Sequence, residues 1–373
     1  MKRILITAMC AALCLSASAQ RRPAVDKFPL GSLKDSYKEY FLVGVAVNQR
    51  NVSDPDQMAL IKKEFSSMTP ENDMKPALVH PKEGEWTFER ADAIANFARQ
   101  NGIKLRGHCL MWHSQFSDWM FYDKKGNLVS KEVLFERMRE HITTVVNRYK
   151  DVIYAWDVVN EAISGGGDDG SGFYTLQHDD GKGDFFWQDH MGDLDYVRSA
   201  IRYARQYGPE DIKLFINDYN LESDWDDNQK LKSLIYWIGV WEKGGAKIDG
   251  IGTQMHISYS RNESIRESRA EHITQMFELM AATGKIVRIS ELDMGVDYYD
   301  SNAAKNINVS INDTTEDEKR AMAEYYQWII QEYFRIVPKE QQWGICQWCL
   351  NNATGNVEDK GGWRPVQPVG ILD

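Results

Sequence analysis

The sequence predicts an α/β fold, a single (β/α)8 barrel with its active site at the C-terminal ends of the strands. Three observations carry this expectation. Eight short apolar runs alternate with amphipathic stretches of helical spacing. No glycine-rich phosphate loop follows the first run, which argues against an open nucleotide-binding sheet. Carboxylates, amides, histidines and tryptophans recur just past the end of one run after another, the face where such barrels carry chemistry.

The strands are expected at 41–47, 64–68, 104–111, 153–159, 213–216, 250–253, 286–290 and 343–346. Helical spacing is clearest over 132–149, 195–207, 228–243, 268–283 and 315–334, with Asp, Ser or Thr often at the start and Gly at the end. The chain ends at Asp373, shortly after the eighth run, so the usual closing helix is either missing or replaced by a different seal.

The first residues stand outside this pattern. Lys2 and Arg3 precede an apolar run to Leu15, and Ala17-Ser18-Ala19 follows, so residues 1–19 read as a secretory signal peptide cleaved near Ala19. The run is too short to span a bilayer comfortably. The expected product is secreted or periplasmic, with 20–373 as one catalytic domain lacking any linker or appended module.

Without the leader the chain carries 42 basic against 55 acidic side chains, net −13. That argues against a nucleic-acid partner, and no basic amphipathic segment suggests a membrane. The 12 Trp are a rich supply of sugar-stacking surfaces. Three cysteines remain, Cys109, Cys346 and Cys349. So few do not make a disulfide framework, and Cys346 and Cys349 would point to opposite faces of a strand. No cofactor is expected, and a monomer is.

Past the second run lies Thr69-Pro-Glu-Asn-Asp-Met-Lys75. The third gives His108, Trp112, His113 and Gln115; the fourth, Trp156-Asp-Val-Val-Asn-Glu161; the fifth, Asn217-Asp-Tyr-Asn220. The sixth gives Gln254 and His256, the seventh Glu291 and Asp293, the eighth Trp343 and Gln347. Either Glu161 or Glu291 alone is nearly as well explained by an ion pair. Together, at the mouths of strands four and seven, they suit glycoside hydrolysis, which needs one acid and one carboxylate across the scissile bond. A metal-dependent hydrolase is disfavoured because His108 and His113, five apart, would face opposite ways. A non-catalytic carbohydrate-binding protein would not need both Glu.

These stretches, with Arg106-Gly-His-Cys-Leu-Met-Trp-His-Ser-Gln115, Ser290-Glu-Leu-Asp293 and Pro81-Lys-Glu-Gly-Glu-Trp, resemble family 10 of the glycoside hydrolases, the xylanases, over essentially the whole mature chain. The resemblance implies a retaining endo-β-1,4-xylanase with Glu161 as acid/base and Glu291 as nucleophile, acting on xylan and xylo-oligosaccharides. It implies that Glu71, Asn72, Lys75, His108, Trp112 and Gln115 line the sugars on the non-reducing side. Asn160 would hold the 2-hydroxyl. Gln254 and His256 would flank the nucleophile, with Asp293 orienting His256 and Asp157 in support. Tyr219 would reach the leaving-group side. An apolar wall beside Glu161 would keep its proton.

The sequence departs from the family near its end. Gln347 and Asn351 stand where an Asp and a second Trp are usual, leaving Trp348 or Trp363 as the aromatic lid beside Trp343. Subsite shape is therefore open, and hydrolysis of β-1,4-glucan or cello-oligosaccharides by the same mechanism is the alternative.

Overall fold

In the computed structural model the described residues are 31–167, 170–179, 184–348, 350, 364 and 367–370. Residues 1–19, read above as a signal peptide, lie outside them, as do Cys349 and Trp363.

The strands are β1 (Leu42–Val47), β2 (Ser67–Pro70), β3 (Lys104–Met111), β4 (Ile153–Asn160), β5 (Lys213–Asp218), β6 (Gly250–Thr253), β7 (His256–Ser260), β8 (Ile286–Asp300), β9 (Lys305–Asn308) and β10 (Gln342–Gln347). The helices are α1 (Leu33–Tyr37), α2 (Pro55–Glu64), α3 (Pro76–Val79), α4 (Glu89–Asn101), α5 (Lys131–Tyr149), α6 (Trp187–Met191), α7 (Asp195–Tyr207), α8 (Gln229–Lys243), α9 (Glu263–Ala282) and α10 (Glu316–Ile336).

Strands β1 to β6, β8 and β10 pair in parallel in that order, and β10 returns to β1, closing an eight-stranded barrel. The predicted α/β barrel is the observed fold. Seven of the eight expected strands fall where the apolar runs lie. The second is displaced: residues up to Glu64 belong to α2, whose start is fixed by Asp54 accepting from the backbone N–H groups of Asp56 and Gln57 and by Pro55 in the first turn.

Two features were not anticipated. Strand β8 overshoots the barrel by ten residues beyond Ser290, pairing there with β7 in parallel and β9 in antiparallel fashion. The second concerns the seal between α10 and α2. It is made by α1, which precedes the first strand. Tyr37 and Phe41 stack on Phe334 of α10, with ring centroids 6.2 and 5.5 Å apart. On the other side the Leu33 backbone N–H donates to Glu64 Oε2 of α2 at 2.9 Å.

The outer core is aliphatic and aromatic, but the barrel interior is polar. Arg106, Asp157 and Arg288 are each at most 2% exposed. Asp157 accepts from Arg106 Nε (2.8 Å) and from Arg288 (2.6 Å), and lies 2.8 Å from His108 Nδ1. Burial alone would raise the Asp157 pKa; Arg106, Arg288 and His108 outweigh it and hold the carboxyl far below the usual range. This cluster is the floor beneath the site.

Candidate active site

The register of the barrel brings the candidate residues to one level. Asn160, last residue of β4, pairs with Asn217 of β5, and Asn217 with Gly252 of β6. A Cβ on Gly252 would lie 2.4 Å from Asn217 Oδ1, so the glycine makes room for that amide. Beyond Asn160 the chain turns sharply: Glu161 has φ +56°, in the left-handed region that few side chains adopt, anchored by its N–H to the Asn217 carbonyl at 2.7 Å.

The two carboxylates are joined by a chain of amides. Asn217 Nδ2 donates to Glu291 Oε1 at 2.7 Å and to Asn160 Oδ1 at 2.8 Å. Asn160 Nδ2 donates to Glu161 Oε1 at 3.2 Å. Gln254 Nε2 also reaches Glu161 Oε1, at 2.9 Å. On the other oxygen, Trp112 Nε1 donates to Glu161 Oε2 at 2.9 Å, and His113 Nε2 lies 3.9 Å away. Burial holds His113 below its ordinary pKa. The apolar wall expected beside Glu161 is therefore not what the structure provides: three N–H donors surround the carboxyl, because the indole and amides project from neighbouring strand ends.

Glu291 is 3% exposed. Burial would raise its pKa; His108, His256 and Arg106 outweigh burial and hold it at about 2. His256 Nε2 lies 3.4 Å from Glu291 Oε2, and Arg106 3.5 Å from Oε1. Desolvation would lower the His256 pKa, but Asp293, 3.0 Å from Nδ1, and Glu291 raise it to about 9. The result is an imidazolium clamped between two carboxylates.

On the opposite rim, Lys75 Nζ donates to Asn72 Oδ1 at 2.9 Å and rests 4.7 Å over the Trp112 ring. Glu71 is close enough to feel the charges of both Lys75 and Glu291; burial raises its pKa. Gln115 lies at the same end, exposed, with φ +53°, its carbonyl accepting from the Ala77 N–H. Tyr219 lies on the β5 side, its ring 3.2 Å beneath Lys230 Nζ.

Trp343 does not belong to this group. It is the second residue of β10, near the opposite end of the barrel, with its ring 6.1 Å from Tyr154 and 6.3 Å from Phe215. Its assignment to the substrate is corrected: an early strand position faces the N-terminal mouth. Trp348, just past β10, takes the rim position, its ring edge-on to His108 (5.4 Å) and His256 (6.2 Å).

Sequence reasoning assigned no role to Arg106, Asn217, Arg288 or Arg364. Arg106 was detectable as a charged residue inside an apolar run, two positions from His108 and hence on the same face. Asn217 was detectable as the last amide before a strand end. Arg364 left no signal, since its partners lie on distant strands.

The family model for glycosyl hydrolase family 10 matches residues 32–367. The chain is 46% identical over 301 residues to an endo-1,4-beta-xylanase/feruloyl esterase of Xylanibacter ruminicola, covering 79% of this chain but only 39% of that protein. It is 35% identical to endo-1,4-beta-xylanase A of Caldicellulosiruptor saccharolyticus, covering 91% of this chain and 88% of the other. Among solved structures, an endo-1,4-beta-xylanase from Caldicellulosiruptor owensensis superimposes with a TM-score of 0.77 at 31% identity, over 92% of this chain and 95% of the other. The closed barrel, the paired carboxylates at its C-terminal mouth and these matches agree: the chain belongs to family 10 of the glycosyl hydrolases.

Proposed function

We propose that the protein is an endo-β-1,4-xylanase working by retention, with Glu291 as nucleophile and Glu161 as general acid and base. The observation that carries the division of roles is electrostatic. His256 at 3.4 Å and Arg106 at 3.5 Å hold Glu291 well below the usual carboxylate range, which favours the ionised form a nucleophile must have. Its Oε would attack C1 as the C1–O bond breaks, while Glu161 delivers its proton to the departing oxygen. In the second step Glu161 takes a proton from water, whose oxygen displaces the Glu291 ester from C1. Esterification removes the Glu291 charge, and Glu161 serves as the base at that stage. Asn160, bonded into the chain between both carboxylates, is suited to the 2-hydroxyl, where hydrogen bonds tighten in the transition state.

The xylan specificity rests on the names borne by the relatives. Export through residues 1–19 belongs to the same proposal. The test is hydrolysis of linear xylan, mixed-linkage glucan and cello-oligosaccharides by wild type, Glu161→Ala and Glu291→Ala, with proton NMR following the first anomer. Xylo-oligosaccharides released as the β-anomer, with both variants nearly inactive, are expected. An α-anomer first, or an active Glu291→Ala, overturns the mechanism; faster glucan cleavage overturns the substrate.

A further inference from the structure

Arg364 comes from a segment past the last strand, yet its guanidinium is built into the barrel wall. Nη1 donates to Asp293 Oδ1 at 2.7 Å and to the Ile257 carbonyl at 2.7 Å. Nη2 donates to Ser258 Oγ at 2.8 Å and to Gln367 Oε1 at 2.9 Å. The cradle is specific. A Cβ on Gly295 would lie 2.5 Å from Arg364 Nη2 and 2.3 Å from Gln367 Oε1, so a side chain there would push both groups aside. Arg364 itself has φ +44°, in the left-handed region.

The other oxygen of Asp293 faces His256 Nδ1 at 3.0 Å, and His256 Nε2 faces Glu291 at 3.4 Å. Arg364, Asp293, His256 and Glu291 thus form one line of contacts running from the segment after β10 to the reacting carboxylate. The planar fork of arginine fixes Asp293 and the backbone beside it together, which a point charge does not do.

We propose that Arg364 is a positioning residue for the nucleophile: docked against Asp293, it holds the His256 imidazole against Glu291. This rests on the reading of Glu291 as nucleophile. The charged and titratable groups facing His256 are Glu291 and Asp293 of β8 and Glu222 after β5. Arg106 and His108 face Glu291 from the other side. When His256 leaves its place, Glu291 keeps Arg106, His108 and the Asn217 amide but loses its nearest imidazole.

The test uses the full chain and two independent variants. Arg364→Met removes the guanidinium. Gly295→Ala leaves it in the chain but displaces it from its present contacts. Each is treated with a 2-deoxy-2-fluoro-xylobioside bearing a dinitrophenolate leaving group. Attack of a carboxylate on C1 expels dinitrophenolate and leaves a stable ester, located by peptide mass spectrometry. In both variants we expect ester formation to slow by up to about a hundredfold, with KM for an aryl xylobioside changed far less. The acid limb of the kcat/KM–pH profile should move upward, and Arg364→Lys should recover part of the loss. A wild-type acid limb and wild-type labelling rate in both variants overturn the proposal. Thermal melting identifies a variant that is merely unfolded; if Arg364→Met is, Gly295→Ala and Arg364→Lys decide. Label on a residue other than Glu291 in wild type overturns the mechanism instead, so the two failures are told apart.

Discussion

Replacing Asp157 with Asn keeps the shape of the side chain and removes its charge. The carboxyl is fully buried and serves Arg106, Arg288 and His108 together. An amide offers one accepting oxygen, and its NH2 faces donors. At least one guanidinium is then left buried without a counter-charge. Breaking a buried ion pair from one side costs about 3–5 kcal/mol. At about 2 °C per kcal/mol, the low end for large domains, Tm should fall by about 6–10 °C at pH 7. The sign of the pH dependence follows from linkage. The folded carboxyl lies far below its usual pKa, so its contribution is complete above about pH 4 and is lost as pH falls toward the folded value. The gap in Tm between wild type and Asp157→Asn should therefore narrow below about pH 4 in differential scanning calorimetry. A Tm within 2 °C of wild type at pH 7 would refute the reasoning, as would a gap that stays constant to about pH 3.

Three further expectations concern single contacts. His141 is fully buried, and neither ring nitrogen has a hydrogen-bond partner among the described residues. Burial, and His80 beside it, push its pKa down to about 3, so stability is complete above about 6.5 and declines as pH falls through the range below. His141→Leu should gain about 2 kcal/mol on wild type between pH 7 and pH 5, read from urea melts at the two values. Trp112→Phe removes the 2.9 Å donor to Glu161 while leaving a ring beneath Lys75. kcat/KM on an aryl xylobioside should fall about ten- to a hundredfold, corresponding to about 1.5–3 kcal/mol for a hydrogen bond to a charged group. Asn217→Ala deprives Glu291 of its 2.7 Å donor; the acid limb of kcat/KM should move upward, and an unmoved limb would count against this account of the Glu291 pKa.

The barrel was legible because its alternating strand and helix pattern is local, and seven strands kept their places. The second strand shifted because the cap at Asp54 governs where α2 runs, and the helix claims Glu64 before the strand begins. Glu161, Glu291, Asn160, Gln254 and His256 were legible because strand ends converge in any such barrel. Trp343 was misplaced because a motif position was read without its depth along β10. The polar floor was only half visible: Asp157 stood out within its motif. Its partners Arg106 and Arg288 did not, because two arginines inside apolar runs acquire meaning only when the strands are laid side by side. Arg364 was beyond reach, since its contacts depend on the fold of residues more than sixty positions away.

The overshoot of β8 gives the two sides of the mouth different mechanical character. Glu291 lies in the body of a fifteen-residue strand, paired on both sides, with its continuation stapled by β7 and β9. Glu161 sits at a single left-handed turn where β4 gives way to a glycine-rich connection. One wall is a continuous strand; the other is a turn pinned on its far side, where the Ile163 N–H donates to Asp218 at 3.0 Å and Ile163 pairs with Leu176. Changes in the glycine-rich run that starts at Gly165 can therefore reshape the nearby cleft while both carboxylates hold their coordinates. Amide exchange should register slow protons along β8 and at Ile163 and faster ones at the exposed Gly165 and Gly167.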